Sequence, residues 1–167
     1  MGVLLFLHRR FLEPGTRELD WLNRFTEALP NFGIEAERFG PGSGRIPPGR
    51  VVHVFSRWDA ETWDGLRRLS ARVIVTPGLL GPVDPTPKTR VWTWLRRARR
   101  LHNPHTSSVD EFSFRAGAEL YLPVTEAWET ELRRGWSIDP RRIALLSRDP
   151  RAAGAEAAAI YRRLGAP

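Results

Sequence analysis

The sequence contains no cysteine, so disulfides, thiolate metal ligands and cysteine nucleophiles are excluded. This composition is compatible with a reducing compartment. The N-terminal apolar run ends after Leu7 and is too short to span a membrane. It also lacks the basic leader and the small-residue cleavage site of a signal peptide. We therefore predict a cytoplasmic protein.

Lysine is almost missing as well, because Lys88 is the only one in the chain. Arginine therefore supplies nearly all of the positive charge behind the formal net charge of +7. The guanidinium group presents a planar fork of donors that suits phosphates and carboxylates. The balance indicates an anionic partner, such as a nucleotide, a nucleic acid or an acidic membrane surface. The alternative is a solubilising surface without a specific partner.

The chain does contain a regular alternation of short apolar strands and amphipathic helices. Strands are predicted at residues 3–7, 34–39, 51–55, 72–76, 120–123 and 142–146. Helices are predicted to follow them, the first capped by Thr16 and ended by Pro30 and Gly33. This pattern predicts a Rossmann-like, three-layer α/β/α fold with a mainly parallel sheet of about six strands. Residues 1–150 would form the domain and residues 151–167 a C-terminal helix.

Ligands of such sheets bind beyond the carboxyl ends of the strands, which selects the loops 9–16, 56–59, 77–80 and 124–126. Gly15 and Thr16 precede the first helix, whose free N–H groups predict an anion site there. The alternative is an ordinary tight turn before an N-cap. His8 ends the first strand at the same edge, where it either faces a ligand or makes a structural hydrogen bond. His53 lies inside a strand and is interpreted as a packed histidine.

Common cofactor motifs are missing from the sequence. No dinucleotide-binding glycine pattern follows the first strand, and the glycine-rich segment 40–44 lacks the lysine of a P-loop. His102 and His105 flank Asn103-Pro104, which disfavours a regular helical ligand pair. We therefore predict neither a cofactor nor a metal site.

The helix predicted at residues 91–101 combines tryptophan with arginine. Its candidate contact residues are Trp92, Trp94, Arg96, Arg97, Arg99 and Arg100. This combination is typical of a helix that lies on an anionic membrane, here at the inner face. It also suits nucleic-acid phosphates, which we favour least, or an outer helix with packed tryptophans and solvated arginines.

Several segments are similar, in the same order, to one known family. They are Arg9–Glu18, Val51–Val54, Val73–Pro77, Leu120–Ala127 and Asp139–Ile143. The segment Val124-Thr125-Glu126-Ala127 matches a strand end that reads V-S/T-E-A, and Pro140–Ile143 matches a P-x-R-I step. Together they resemble the N-terminal domain of family-4 GT-B glycosyltransferases.

The resemblance implies the acceptor-side half of an enzyme that moves a sugar from a nucleotide-sugar to an acceptor across an interdomain cleft. Such a half is inactive without a C-terminal nucleotide-binding domain, and the chain ends near the position of that family's linker. The implied substrate-binding residues are His8, Arg9, Gly15, Thr16, Gly78, Thr125 and Glu126. No catalytic residue is assigned.

The sequence departs from the family at Gly78, where a histidine usually contacts the donor sugar. Thr16 replaces the second glycine of the first loop, and Ser147–Pro150 replaces the usual exit from the last strand. The missing histidine favours an alternative function. In that alternative the chain is a non-catalytic Rossmann-like binding module that pairs with a separate partner chain.

Overall fold

The computed structural model describes residues 2–7, 14–39, 51–55, 72–79 and 118–165. The strands are β1 (Gly2–Leu7), β2 (Glu35–Phe39), β3 (Val51–Phe55), β4 (Arg72–Thr76) and β5 (Leu120–Tyr121). The helices are α1 (Arg17–Ala28), α2 (Glu126–Thr130) and α3 (Pro150–Arg163). A 3-10 turn at Leu29–Phe32 follows α1, a π-helical turn at Glu131–Gly135 extends α2, and another 3-10 turn spans Pro140–Arg142. The helices predicted near residues 59–69, 91–101 and 108–116 lie outside the described residues.

All strand pairs of the sheet are parallel, and the strand order is β2-β1-β3-β4-β5. The segment predicted as a sixth strand makes one parallel bridge, from Ile143 to Tyr121. The amides of Ala144 and Leu146 then donate to the carbonyls of Tyr121 and Pro123. The prediction of a Rossmann-like α/β fold is confirmed, with the sixth strand reduced to a short contact at the sheet edge.

The strands β1, β3 and β4 are buried on both faces, as expected for a parallel sheet covered on each side, whereas β2 at the edge is mostly exposed. Alternate residues of β1 enter different cores, Leu5 on one face and Leu4 on the other. The first core, on the α1/α3 face, includes Phe25 of α1 and Tyr161 of α3. The second core, on the opposite face, is mainly aliphatic and includes Leu132. Each fully buried Leu or Phe side chain stabilises the fold by about 1.5–3 kcal/mol.

The helices α1 and α3 lie side by side because small residues meet at their contact. A Cβ added to Gly154 would lie 3.1 Å from the Cβ of Ala28. The alanines of α3 that face the core, Ala153, Ala157 and Ala158, are fully buried. None of the helices in the described ranges has the length and apolar character needed to cross a bilayer.

We call the ends of the strands at Leu7, Phe39, Phe55, Thr76 and Tyr121 the carboxyl edge of the sheet. The helices begin at this edge, and a side chain caps each one: Thr16 accepts from Leu19 N, Thr125 from Trp128 N, and Asp149 from Arg151 N and Ala152 N. The opposite ends, at Gly2, Glu35, Val51, Arg72 and Leu120, form the amino edge. The capping hydrogen bonds therefore fix the conformation of the loops that lead into these helices, at the edge where a ligand is expected.

Candidate functional site

The strand order places the candidate site at the carboxyl edge between β1 and β3. The chain leaves β1 toward β2 on one side, and continues from β3 to β4 and β5 on the other side. Leu7 pairs with Phe55 where these two central strands end. Ligands of open parallel sheets bind at such a reversal. His8 and Arg9, predicted to contact the substrate, lie outside the described residues.

The start of α1 lies beside this reversal. The indole Nε1 of Trp21 donates to the carbonyl oxygen of Arg148 over 2.8 Å, and its ring centroid is 6.5 Å from that of Phe55. These contacts hold the first turns of α1 against the end of β3 and the loop before α3.

Gly15 and Thr16 form the turn that leads into α1. Gly15 has a φ of +80°, a left-handed conformation that favours glycine. The hydroxyl of Thr16 accepts a hydrogen bond from Leu19 N over 3.3 Å, so it acts as the N-cap. Glu18 and Asp20 add negative charge to the first turn and oppose the helix dipole that would attract an anion. The anion site at this turn stays a prediction.

Three other predicted residues, Gly78, Thr125 and Glu126, come together at the ends of β4 and β5. A Cβ built on Gly78 would lie 2.9 Å from the indole Nε1 of Trp128. Thr125 caps the same helix turn by accepting from Trp128 N over 3.3 Å, and Glu126 beside it is exposed. The loop after β4 and the start of α2 therefore form one contiguous surface.

Trp128 explains why glycine stands at position 78. Its side chain is only 9% exposed, and the indole fills the space into which a side chain at position 78 would project. A histidine at this position would have to displace the indole. Sequence reasoning missed Trp128, although an aromatic residue three positions after a capping Thr125 at the carboxyl edge was a usable signal.

A chain of buried hydrogen bonds lies beneath this surface. The hydroxyl of Thr76 donates to the carbonyl oxygen of Leu122 over 2.8 Å. Because a threonine hydroxyl has one hydrogen, its oxygen must accept from His53 Nε2, which is 2.8 Å away. His53 Nδ1 is then the acceptor for the hydroxyl of Tyr161, at 2.5 Å. All of these donors point the same way, from α3 to the loop after β5.

Burial keeps this chain in its neutral form. His53, Thr76 and Tyr161 are 0% exposed, and the rings of Phe25 and Phe55 pack against the imidazole. Burial lowers the pKa of His53 from 6.5 to about 3, since a charged imidazole would lose its hydration. Burial also raises the pKa of Tyr161 well above its usual value. The interpretation of His53 as a packed histidine is confirmed.

The remaining predictions have no structural test. The tryptophan and arginine residues of the helix predicted at 91–101 lie outside the described residues. Within the described ranges, no group of three or more His, Cys, Asp or Glu side chains is arranged to hold a metal ion.

The sequence matches no protein-family model and no curated protein. These two comparisons therefore assign no function to the chain.

Proposed function

We propose that this chain is the acceptor-side domain of a glycosyltransferase, which holds a sugar acceptor at the carboxyl edge and does not complete the transfer alone. The supporting observation is the cluster formed by Gly78, Thr125 and Glu126 at the ends of β4 and β5. These are residues that the resemblance implies for substrate binding, and they lie on one surface of the carboxyl edge, on the β4/β5 side of the reversal of strand order.

The chemistry of this surface suits sugar hydroxyl groups. The carboxylate of Glu126 is exposed and can accept hydrogen bonds from two neighbouring hydroxyls. The indole of Trp128 fills the space beside the Cα of Gly78, so we assign the hydrogen bonds to the sugar to the exposed Glu126. Orientation of an acceptor hydroxyl toward a donor is the contribution that such a domain makes to the reaction rate.

Amide spectra of the isotopically labelled chain test this proposal. We expect methyl glycosides of glucose, mannose or N-acetylglucosamine to shift the amide signals of Gly78, Leu79, Thr125 and Glu126. The amides of Glu35, Val51 and Arg72 at the amino edge should not shift. If no glycoside moves the carboxyl-edge signals, the acceptor role is wrong.

A matched pair of variants sharpens the test. Glu126→Gln should weaken binding of the glycoside by about tenfold, as expected for loss of a charged hydrogen-bond acceptor. Glu27→Gln, at an exposed position near the end of α1, should leave the affinity unchanged. Release of nucleotide from UDP-glucose or GDP-mannose by the isolated chain would contradict the proposal that it is half of an enzyme.

A second candidate function is a non-catalytic binding module that acts with a partner chain. The packing of Trp128 on Gly78 favours it, because the indole takes the place of a side chain that would reach a donor sugar. A gene that encodes a contiguous C-terminal nucleotide-binding domain would eliminate this candidate.

Attachment to an anionic membrane surface through Trp92, Trp94, Arg96, Arg97, Arg99 and Arg100 is an extension of either function. It is supported by the sequence of that segment alone. Replacement of the four arginines by glutamine should reduce binding to vesicles that contain anionic lipid. Equal binding of both proteins would rule out this segment as the contact.

A further inference from the structure

The loops after β4 and β5, which carry Gly78, Thr125 and Glu126, are joined where they leave the sheet. Thr76 is the last residue of β4 and directly precedes Pro77 and Gly78. Leu122 directly follows β5 and stands three residues before Thr125. The hydrogen bond from the Thr76 hydroxyl to the Leu122 carbonyl therefore links the two loops where they leave the sheet.

The same loops also meet farther out, where Gly78 packs against the indole of Trp128. Only Pro77 separates Thr76 from Gly78, so a change at the base is carried into this contact. The amide of Leu122 also donates to the carbonyl of Val75, so the Thr76 hydroxyl adds a second, side-chain bond whose direction affects the spacing of the loops.

The direction of that hydroxyl is coupled to α3 through the tautomer of His53. Tyr161 donates to His53 Nδ1, which stabilises the neutral tautomer with its hydrogen on Nε2. His53 Nε2 then donates to the hydroxyl oxygen of Thr76, and the hydroxyl of Thr76 donates its own hydrogen to the carbonyl of Leu122. Without the Tyr161 hydroxyl, the other tautomer becomes available. Its bare Nε2 accepts from Thr76, and the carbonyl of Leu122 then loses this bond.

We propose that Tyr161 is a positioning residue, which acts through His53 and Thr76 to hold the loops after β4 and β5 at the spacing of the carboxyl-edge site. The link to a ligand rests on the proposed function. The link between Tyr161 and the loop spacing does not, and it can be measured without any ligand.

The tautomer of His53 provides the first test. Imidazole nitrogen shifts of the wild-type protein should show a single neutral form, protonated on Nε2. The Tyr161→Phe variant should show averaging between the two neutral forms. A wild-type imidazole protonated on Nδ1 would overturn the proposal, and this measurement requires no variant to fold.

A double-mutant cycle separates this role from simple packing. Tyr161→Phe should shift the amides of Gly78 and Glu126, and Thr76→Val should shift them too. If Tyr161 acts through Thr76, the amide shifts caused by Tyr161→Phe should be at least about threefold smaller in the Thr76→Val background. The effects of substitutions within one hydrogen-bond network are not additive. Additive shifts would show that Tyr161 acts by packing and would overturn the proposal.

Two further variants serve as controls. Thr76→Ser keeps the hydroxyl and should retain the effect of Tyr161→Phe. Ile160→Val removes a buried methyl group from the same helix and should leave the His53 tautomer unchanged. A tautomer shift in Ile160→Val as large as that in Tyr161→Phe would contradict the hydrogen-bond explanation.

Glycoside titration then distinguishes the two proposals. Where a methyl glycoside binds the wild type, Tyr161→Phe should weaken it about fivefold, the typical effect of one neutral hydrogen bond. If a glycoside binds with equal affinity to both proteins, the positioning role is wrong while the proposed function stands. If no glycoside binds but the tautomer and the cycle behave as expected, the proposed function fails while the coupling to the loops stands.

Discussion

Arginine side chains join neighbouring elements at the amino edge of the sheet, whereas a hydroxyl and two indoles join the loops at the carboxyl edge. Arg72 donates to the carbonyl of Leu164 at the end of α3, and Arg162 donates to the carbonyl of Phe32 after α1. At the other edge, the contacts between loops come from the hydroxyl of Thr76 and the indoles of Trp21 and Trp128.

This difference follows from the direction of the helices. Helices end at the amino edge with unpaired carbonyl groups, which favour cations, and they begin at the carboxyl edge with unpaired N–H groups. Arg142 also donates to a main-chain carbonyl at the amino edge, that of Ala118 before β5, and lies over the ring of Tyr121. Part of the positive charge of this chain therefore serves the fold, away from the edge where a ligand is expected.

The pH dependence of stability is expected to show the largest effect. It arises from His53, whose hydrogen bonds lead through Thr76 to the carboxyl edge. The imidazole binds a proton near pH 6.5 in the unfolded chain but only near pH 3 in the folded protein. Between these values the unfolded state holds more protons, so stability falls as the pH falls. The free energy of unfolding of the wild type should drop by up to about 1.4 kcal/mol more per pH unit than that of His53→Gln.

Denaturant unfolding at pH 7, 5 and 4 measures these slopes. The difference in slope between the wild type and His53→Gln reports on His53, because the other titrating groups are the same in both proteins. Equal slopes would show that burial does not keep His53 neutral. Arg162→Gln leaves the surroundings of His53 unchanged and should follow the wild-type slope.

Crowding at Gly78 should have the next largest effect. The added methyl group of Gly78→Ala meets the Trp128 indole, and we expect a loss of about 1–3 kcal/mol from overpacking. Thermal or denaturant unfolding measures it, and Trp128→Leu in the Gly78→Ala background should recover part of the loss. At the amino edge, Gly33 has open space but a φ of +72°. Gly33→Ala should therefore cost only about 1 kcal/mol from backbone strain.

The amino-edge arginines should show the smallest effects on stability. Arg72→Gln and Arg162→Gln remove exposed hydrogen bonds, and each should cost less than about 1 kcal/mol. Loss of the carboxyl-edge cap in Asp149→Ala should cost about 1 kcal/mol or slightly more. If either arginine variant loses more free energy of unfolding than Asp149→Ala, the arginines of the amino edge contribute more to stability than their exposure indicates.

Local signals in the sequence predicted much of the fold. The continuous apolar runs of β3 and β4 have the same bounds in the sequence and in the structure, because strands buried on both faces show no alternation. Thr16 was predicted as the cap of α1, and the structure confirms it. Gly33 was predicted as part of the stop signal, and it adopts the left-handed conformation after Leu29–Phe32.

The rest depends on contacts between distant residues. His53 could be predicted as buried, but its partner Tyr161 is 108 positions away and no local pattern joins them. The sixth strand is shorter than predicted, because the 3-10 turn at Pro140–Arg142 takes the residue that was predicted to begin it. At the candidate site, Thr125 and Glu126 followed from a motif, whereas the contact between Gly78 and Trp128 is visible only in three dimensions.

The bond from Tyr161 to His53 also has a consequence for protein synthesis. After His53 has been added to the chain, the ribosome must add 108 more residues to reach Tyr161, which donates to the imidazole. At typical elongation rates this takes roughly 5–20 seconds. During that time β1 and β3 lack the helix that completes the α1/α3 face, and the polar nitrogen of His53 remains without Tyr161. The nascent chain would therefore expose the apolar α1/α3 face of the sheet during this interval.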